Sequence, residues 1–386
     1  MPPQQAAGRL PLIGFYAIYF GTVGIVLPFL PAYLNSLSLS VSQVGLLLAL
    51  SPLLSLVSPH LWGHLADRTG RTSRVLTLLT LGACASFTPL LVVDRFPALV
   101  ATFAVYAFFA AAITPLVDSL ALQHIAQAGG SYAHLRLFGS LGFVLSSTLF
   151  GFAVDSVGRA TVLVPLALLA ALALWSFTFR DHPRTGADPL HPLSGFQLLA
   201  DRDLRWFLAS TALHWIACAP YHGTFSIFVV SLGLPPSVVG LSVGLGVAAE
   251  LGVMFLYPRL AHRIAPRHLM ALAFVASALR WGGLALTSSA PVIAALSLLH
   301  GMTFGAFYVA SIAFLARRIP SHLRASGQGL FTALTFGLGG LVGYVSAGAG
   351  YDWLGGHRLF AVAGVLELGA TALVLRISPE ERPHPA

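Results

Sequence analysis

Three hydrophobic stretches of this chain each carry one ionisable residue: Glu250 in GVAAELGVMF, Arg280 in ASALRWGGLA and His300 in LSLLHGMTFG. A carboxyl, a guanidinium and an imidazole are the groups that hold, hand on or balance a proton. Their spacing is regular. Glu250 and Arg280 are equidistant from Ala265, in the turn HRIAPR, and Arg280 and His300 are equidistant from Ala290, in SSAP. If the stretches are helices joined by short turns, the three groups share one level. At ~1.5 Å per residue, Arg280 lies about 15 Å from the second turn, near the middle of a ~30 Å hydrocarbon layer. Ionisable groups at that depth are costly and line a substrate or ion path. Glu250 is the expected proton carrier, with His300 sharing the proton. Arg280, which keeps its charge, serves as counter-ion or as anchor for a substrate carboxylate.

Composition requires a membrane. The 386 residues are 56% hydrophobic and only 9% charged, against ~25% charged in soluble proteins, too few to cover a soluble surface. The +8 charge is all arginine, in short clusters between apolar spans and not in the basic stripe that nucleic acid needs. Cys84 and Cys218 fall inside spans, so neither a disulfide framework nor a cysteine metal site is expected. No HExxH or P-loop is present. An enzyme, a cofactor and a metal are therefore not expected.

Apolar runs of about 20 residues give twelve predicted helices: 10–34, 41–66, 73–93, 97–122, 133–154, 160–179, 204–231, 237–258, 268–288, 291–316, 323–347 and 357–376. The polar connection after the sixth divides the chain into bundles at 1–180 and 204–386 with a linker at 181–203. With the N-terminus inside, sixteen arginines fall in inner segments and three (Arg95, Arg159, Arg358) in outer loops, so both termini are expected in the cytoplasm. The halves echo each other: Tyr19-Phe-Gly-Thr-Val-Gly-Ile25 in helix 1 and Tyr221-His-Gly-Thr-Phe-Ser-Ile227 in helix 7. A six-helix unit repeated in parallel, with its site near the midplane, is a transporter plan. It makes Tyr19, His214, Tyr221 and His222 candidate cavity residues. Glu367, in helix 12, has no assigned role.

The loop Gly63-His-Leu-Ala-Asp67-Arg68-Thr-Gly70-Arg71-Thr-Ser-Arg74, after helix 2, resembles the signature loop of the major facilitator superfamily. The resemblance implies an all-α fold of twelve transmembrane helices in two six-helix pseudo-repeats. It also implies a gating role for Gly63, Asp67, Arg68, Gly70 and Arg71. The matching loop of the second half has His262 where the acid would fall. Pro115-Leu-Val-Asp118 and Leu135-Arg136-Leu-Phe-Gly139-Ser-Leu-Gly142-Phe143 resemble the lactose permease and phenylpropionate permease branch. Asp118 and Arg136, equidistant from Gln127, are expected to pair across adjacent helices, and the resemblance places them at the substrate with Phe143 in the position of a sugar-stacking tryptophan. Three departures point away from galactosides: Phe143 itself, Glu250 one turn late, and Thr303 where the resemblance to lactose permease implies a glutamate. The expectation is a monomeric proton symporter of the bacterial inner membrane that takes up an aromatic carboxylate by alternating access. A drug or metabolite exporter, a sugar or nucleoside symporter and a non-transporting sensor are the alternatives.

Overall fold

The computed structural model describes residues 8–181, 196–260, 264–320 and 323–378. Most of the expected linker, His262, and Arg184, Arg263 and Arg382 of the arginine count lie outside the described residues. Among the described residues, twelve helical segments follow the hydropathy pattern: α1 Arg9–Ser36, α2 Val41–Thr69, α3 Thr72–Leu91, α4 Phe96–Ala128, α5 Tyr132–Ala153, α6 Ala160–Ser176, α7 Arg202–Ser231, α8 Pro236–Leu260, α9 Pro266–Leu286, α10 Ala290–Arg318, α11 Ser326–Leu354 and α12 Gly356–Val374. Ten are long and apolar enough to cross a membrane, and α6 is a shorter apolar helix. Among the described residues there is no β-strand.

Local chemistry sets several ends. Ser40 accepts from the backbone N–H of Gln43, whose side chain accepts from that of Ser40, a reciprocal cap that starts α2. The loop between α2 and α3 turns on Gly70, at φ +64°. That left-handed geometry is costly for a residue with a Cβ. Asp181, just past α6, accepts from the backbone N–H of Ser73 at 2.8 Å and pairs with Arg74 at 3.3 Å, holding the first turn of α3.

The chain forms two compact units: residues 1–188 with 222–244, and residues 189–221 with 245–386. In the first unit α1 runs along α5 with the backbones nearly touching. A Cβ on Gly24 would meet the Phe143 carbonyl at 2.6 Å, and one on Gly142 would overlap the Ala17 carbonyl. Small residues let membrane helices approach this closely, and close van der Waals contact replaces the hydrophobic drive that lipid cannot supply. Trp175 on α6 ties down the start of α1, its indole N–H donating to the Pro11 carbonyl at 2.9 Å.

In the second unit Phe207, Phe274, Phe307, Phe314 and Phe331 form an aromatic core with Leu208, Met270 and Val374 around it. Two helices depart from α geometry there. Gly301–Ala306 in α10 and Thr332–Leu338 in α11 are π-helical, a widening that gathers at functional sites. A charged clasp closes one end of this unit. Arg318, ending α10, donates to Asp201 at 2.7 and 3.0 Å and lies 3.3 Å from Asp203, which accepts from the Ser378 N–H and hydroxyl beyond α12.

Candidate functional site

Glycines bring α8 and α10 together. A Cβ on Gly301 would meet the Ala249 carbonyl oxygen at 2.8 Å, one on Gly305 the Glu250 Cγ at 3.3 Å, and one on Gly246 the His300 Cβ at 3.1 Å. At that separation Glu250 and His300 face one another, Oε2 to Nε2 at 3.7 Å. Arg280, from α9, reaches His300 from the other side, Nη1 to Nδ1 at 3.0 Å. The shared level expected from sequence thus becomes contact, with His300 standing between the carboxylate and the guanidinium. A guanidinium only donates, so Nδ1 of His300 accepts and its ring proton sits on Nε2, toward Glu250.

Arg280 is 1% exposed. Its guanidinium lies 4.0 Å from the centre of the Tyr221 ring and 4.7 Å from that of Trp281, and such aromatic faces reduce the cost of a buried cation. His300 takes one nitrogen. Nε and Nη2 have no hydrogen-bond partner. Two unsatisfied donors on a permanent, buried cation are a cradle for an anion, because a carboxylate satisfies both at once.

Beside this triad lies a second cluster. His214 on α7 and Glu367 on α12 are each fully buried. His214 Nδ1 faces both carboxylate oxygens at 2.8 and 2.9 Å, and Nε2 meets the Thr303 carbonyl at 3.1 Å. The Trp281 indole donates to Glu367 at 3.1 Å and the Cys218 thiol at 3.7 Å. Phe274 and Phe307 cover the imidazole, with ring centres 4.6 and 4.4 Å away. His214, Cys218 and Glu367 offer metal-type ligand atoms within 4.8 Å of one another. Ligands at ~2.0–2.1 Å from one tetrahedral ion would stand roughly 3.3 Å apart. The 2.8 Å between imidazole and carboxylate is the span of a hydrogen bond and fits a proton.

In the first unit the expected Asp118–Arg136 ion pair does not form. Asp118 accepts instead from the Tyr16 hydroxyl at 2.6 Å, and Arg136 lays its guanidinium over Phe20, 3.7 Å from the ring centre. The physical reason is α1, which packs onto both helices and supplies each charge with a nearer partner. Tyr19 stacks its ring edge-on to Phe20 at 5.0 Å, and Phe143 is buried with its backbone against Gly24. These residues do share one neighbourhood. Tyr221 and His214 belong to the second unit, whereas the half-buried His222 belongs to the first. Gly63, Asp67, Arg68 and Arg71 line the α2–α3 connection, where Asp67, Arg68 and Arg71 are exposed. Sequence reading missed Tyr16, Trp281 and Cys218, and gave Glu367 no role. An acid inside the apolar run VLELGA was the available signal.

A bundle of long apolar helices that gathers titratable groups at its interior has the build of a membrane transporter, and the comparisons agree. The MFS_1 like family profile matches residues 10–362. A protein of Escherichia coli (strain K12), named as a probable 3-phenylpropionic acid transporter, is 30% identical over 383 residues, 94% of this chain and 96% of the relative. A maltose permease of Geobacillus stearothermophilus is 28% identical over 330 residues, 84% and 83% of the two chains. The crystal structure of the nucleoside transporter NupG superposes over 96% of this chain and 98% of its own, with TM-score 0.87 and 16% identity, which shows the fold.

The chain belongs to the MFS_1 like family. It is a multi-pass membrane protein with the major facilitator fold and a secondary transporter, not an enzyme.

Proposed function

We propose that the protein is a proton-coupled symporter that takes up a small organic anion, with an aromatic carboxylate as the leading class. The observation that carries this reading is Arg280: a buried cation with two unsatisfied donors, flanked by the rings of Tyr221 and Trp281. A carboxylate bound there satisfies the donors, and an aromatic body attached to it finds ring faces beside it. The 30% identical relative named for 3-phenylpropionic acid supports the same class. Maltose and xanthosine permeases among the relatives make a neutral sugar or nucleoside the competing solute.

Glu250 carries the proton in this reading. Protonated, it leaves His300 and Arg280 as a cationic pair that accepts the anion. Ionised, it competes with the substrate for that charge, so substrate and proton leave together. Asp118, Arg136, Phe143 and Tyr19, in the first half of the repeat, and His222, in α7, are the further substrate contacts of this reading. The halves expose the site alternately to each side, with the loop from Gly63 to Arg71 controlling the switch. The chain works as a monomer in the bacterial inner membrane with both termini cytoplasmic.

The test is uptake into proteoliposomes under an imposed pH gradient. Accumulation of 3-phenylpropionate on the alkaline side supports the proposal. Movement toward the acidic side, or preference for maltose or xanthosine, contradicts it.

A further inference from the structure

The hydrogen-bond pattern around His214 counts its protons. Nε2 faces a backbone carbonyl, the Thr303 oxygen at 3.1 Å, which can only accept, so Nε2 carries a hydrogen. Nδ1 faces the two oxygens of Glu367 at 2.8 and 2.9 Å. A bare imidazole nitrogen and a carboxylate are both acceptors and repel at that distance. One more proton must therefore lie between them, on His214 as an imidazolium or on Glu367 as a carboxylic acid. Either way the pair is neutral and holds one proton in a site sealed from water.

The groups around the pair keep that proton removable. From α9, Trp281 donates to Glu367 at 3.1 Å, and Arg280 is its neighbour in the chain. From α7, Cys218 donates to Glu367 at 3.7 Å. From α10 come the Thr303 carbonyl and the apolar Phe307, with His300 one step away on Arg280. Helix α11 brings no ionisable group to the pair among the described residues. If the proton leaves, the carboxylate keeps two donors, and the positive charge of Arg280 stands next along α9. A purely structural salt bridge requires no such second set of donors.

We propose that His214 and Glu367 form a second proton-binding site of the transport cycle, one that binds and releases a single proton as α7 and α12 part and close. This goes beyond the coupling role given to Glu250, and it predicts two proton sites in one unit, linked through the adjacent residues Arg280 and Trp281.

The chain has four glutamates, Glu250, Glu367, Glu380 and Glu381, which suits infrared spectroscopy of protein labelled with 13C-carboxyl glutamate in nanodiscs. In the Glu250→Gln background, Glu367 is the one glutamate left among the described residues. Its band is expected to change with pH and with transfer to heavy water, and to lose both responses in His214→Asn. A band that stays constant with pH, or that ignores His214→Asn, overturns the proposal. In proteoliposomes with 3-phenylpropionate as probe, Glu367→Gln is expected to keep exchange between equal solutions and lose accumulation driven by the pH gradient. Accumulation equal to wild type overturns the proposal. If Glu367→Gln fails to reach the membrane, His214→Asn carries the same transport readout. If wild type does not move the probe at all, the proposed function fails, while the infrared result still decides whether the pair exchanges its proton.

Discussion

Substituting Gly301 by alanine separates the packing that builds the site from the chemistry in it. The new Cβ would stand 2.8 Å from the Ala249 carbonyl oxygen, 2.9 Å from its carbon and 3.0 Å from Val253 Cγ2. Ordinary contact begins near 3.4 Å, so α8 and α10 must separate by about 0.6 Å, the difference of 3.4 and 2.8. Two of the three obstacles are backbone and cannot rotate aside. Overpacking of this kind costs about 1–3 kcal/mol. Glu250 follows Ala249 directly and His300 precedes Gly301, so their 3.7 Å approach opens with the crossing. The expected result is a lowered melting temperature in detergent together with weakened pH-driven uptake. Gly252→Ala on the outer face of α8, where a Cβ meets nothing within 4 Å, is the control. It should be neutral or slightly stabilising, since alanine favours a helix by up to ~1 kcal/mol over glycine. Equal melting and uptake in Gly301→Ala and wild type would refute the claim that this crossing sets the geometry of the site.

Arg280→Lys keeps the charge but loses the planar fork that faces His300 and the two rings. Affinity for a carboxylate solute, read by thermal shift, should fall about tenfold or more, roughly 1.4 kcal/mol, with a smaller effect on any neutral ligand. In the clasp, burial raises the Asp201 pKa, but the bonds from Arg318 and from the Leu204 and Asp203 backbone outweigh it and hold the value below the usual aspartate range. A depressed acid stabilises the fold above its unfolded pKa and loses that contribution as pH falls through the folded one. Wild type should thus lose more melting temperature than Asp201→Asn on acidification below about pH 4. Gly70→Ala puts a side chain at φ +64°, at a cost of about 1–2 kcal/mol. Melting temperature reads that cost, and the rate of exchange across proteoliposomes reads any effect on gating.

Much of this was legible in the sequence, and what was legible had a common cause. Glu250, Arg280 and His300 sit on consecutive helices joined by short turns, so counting from each turn fixed their level without knowledge of packing. The turn at Gly70 and the twelve spans were readable for equally local reasons. Counting also put Asp118 level with Arg136, but level is not contact. Whether two side chains pair depends on who else is near, and α1, distant in the chain, delivers Tyr16 and Phe20 instead. His214 and Glu367 lie 153 residues apart, on α7 and α12, with no turn between them to count from. The π-helical turn around Thr303, whose carbonyl fixes the proton on His214, leaves no simple mark in composition or periodicity.

In the proposed mechanism, proton movement accompanies anionic solute through Glu250 and its contact with His300 and Arg280. Its most direct measurement is the internal pH change of proteoliposomes when 3-phenylpropionate is added outside, for wild type and Glu250→Gln. Wild type should acidify the lumen and Glu250→Gln should not, while unlabelled and labelled solute still exchange. Equal acidification by the two proteins would contradict the mechanism.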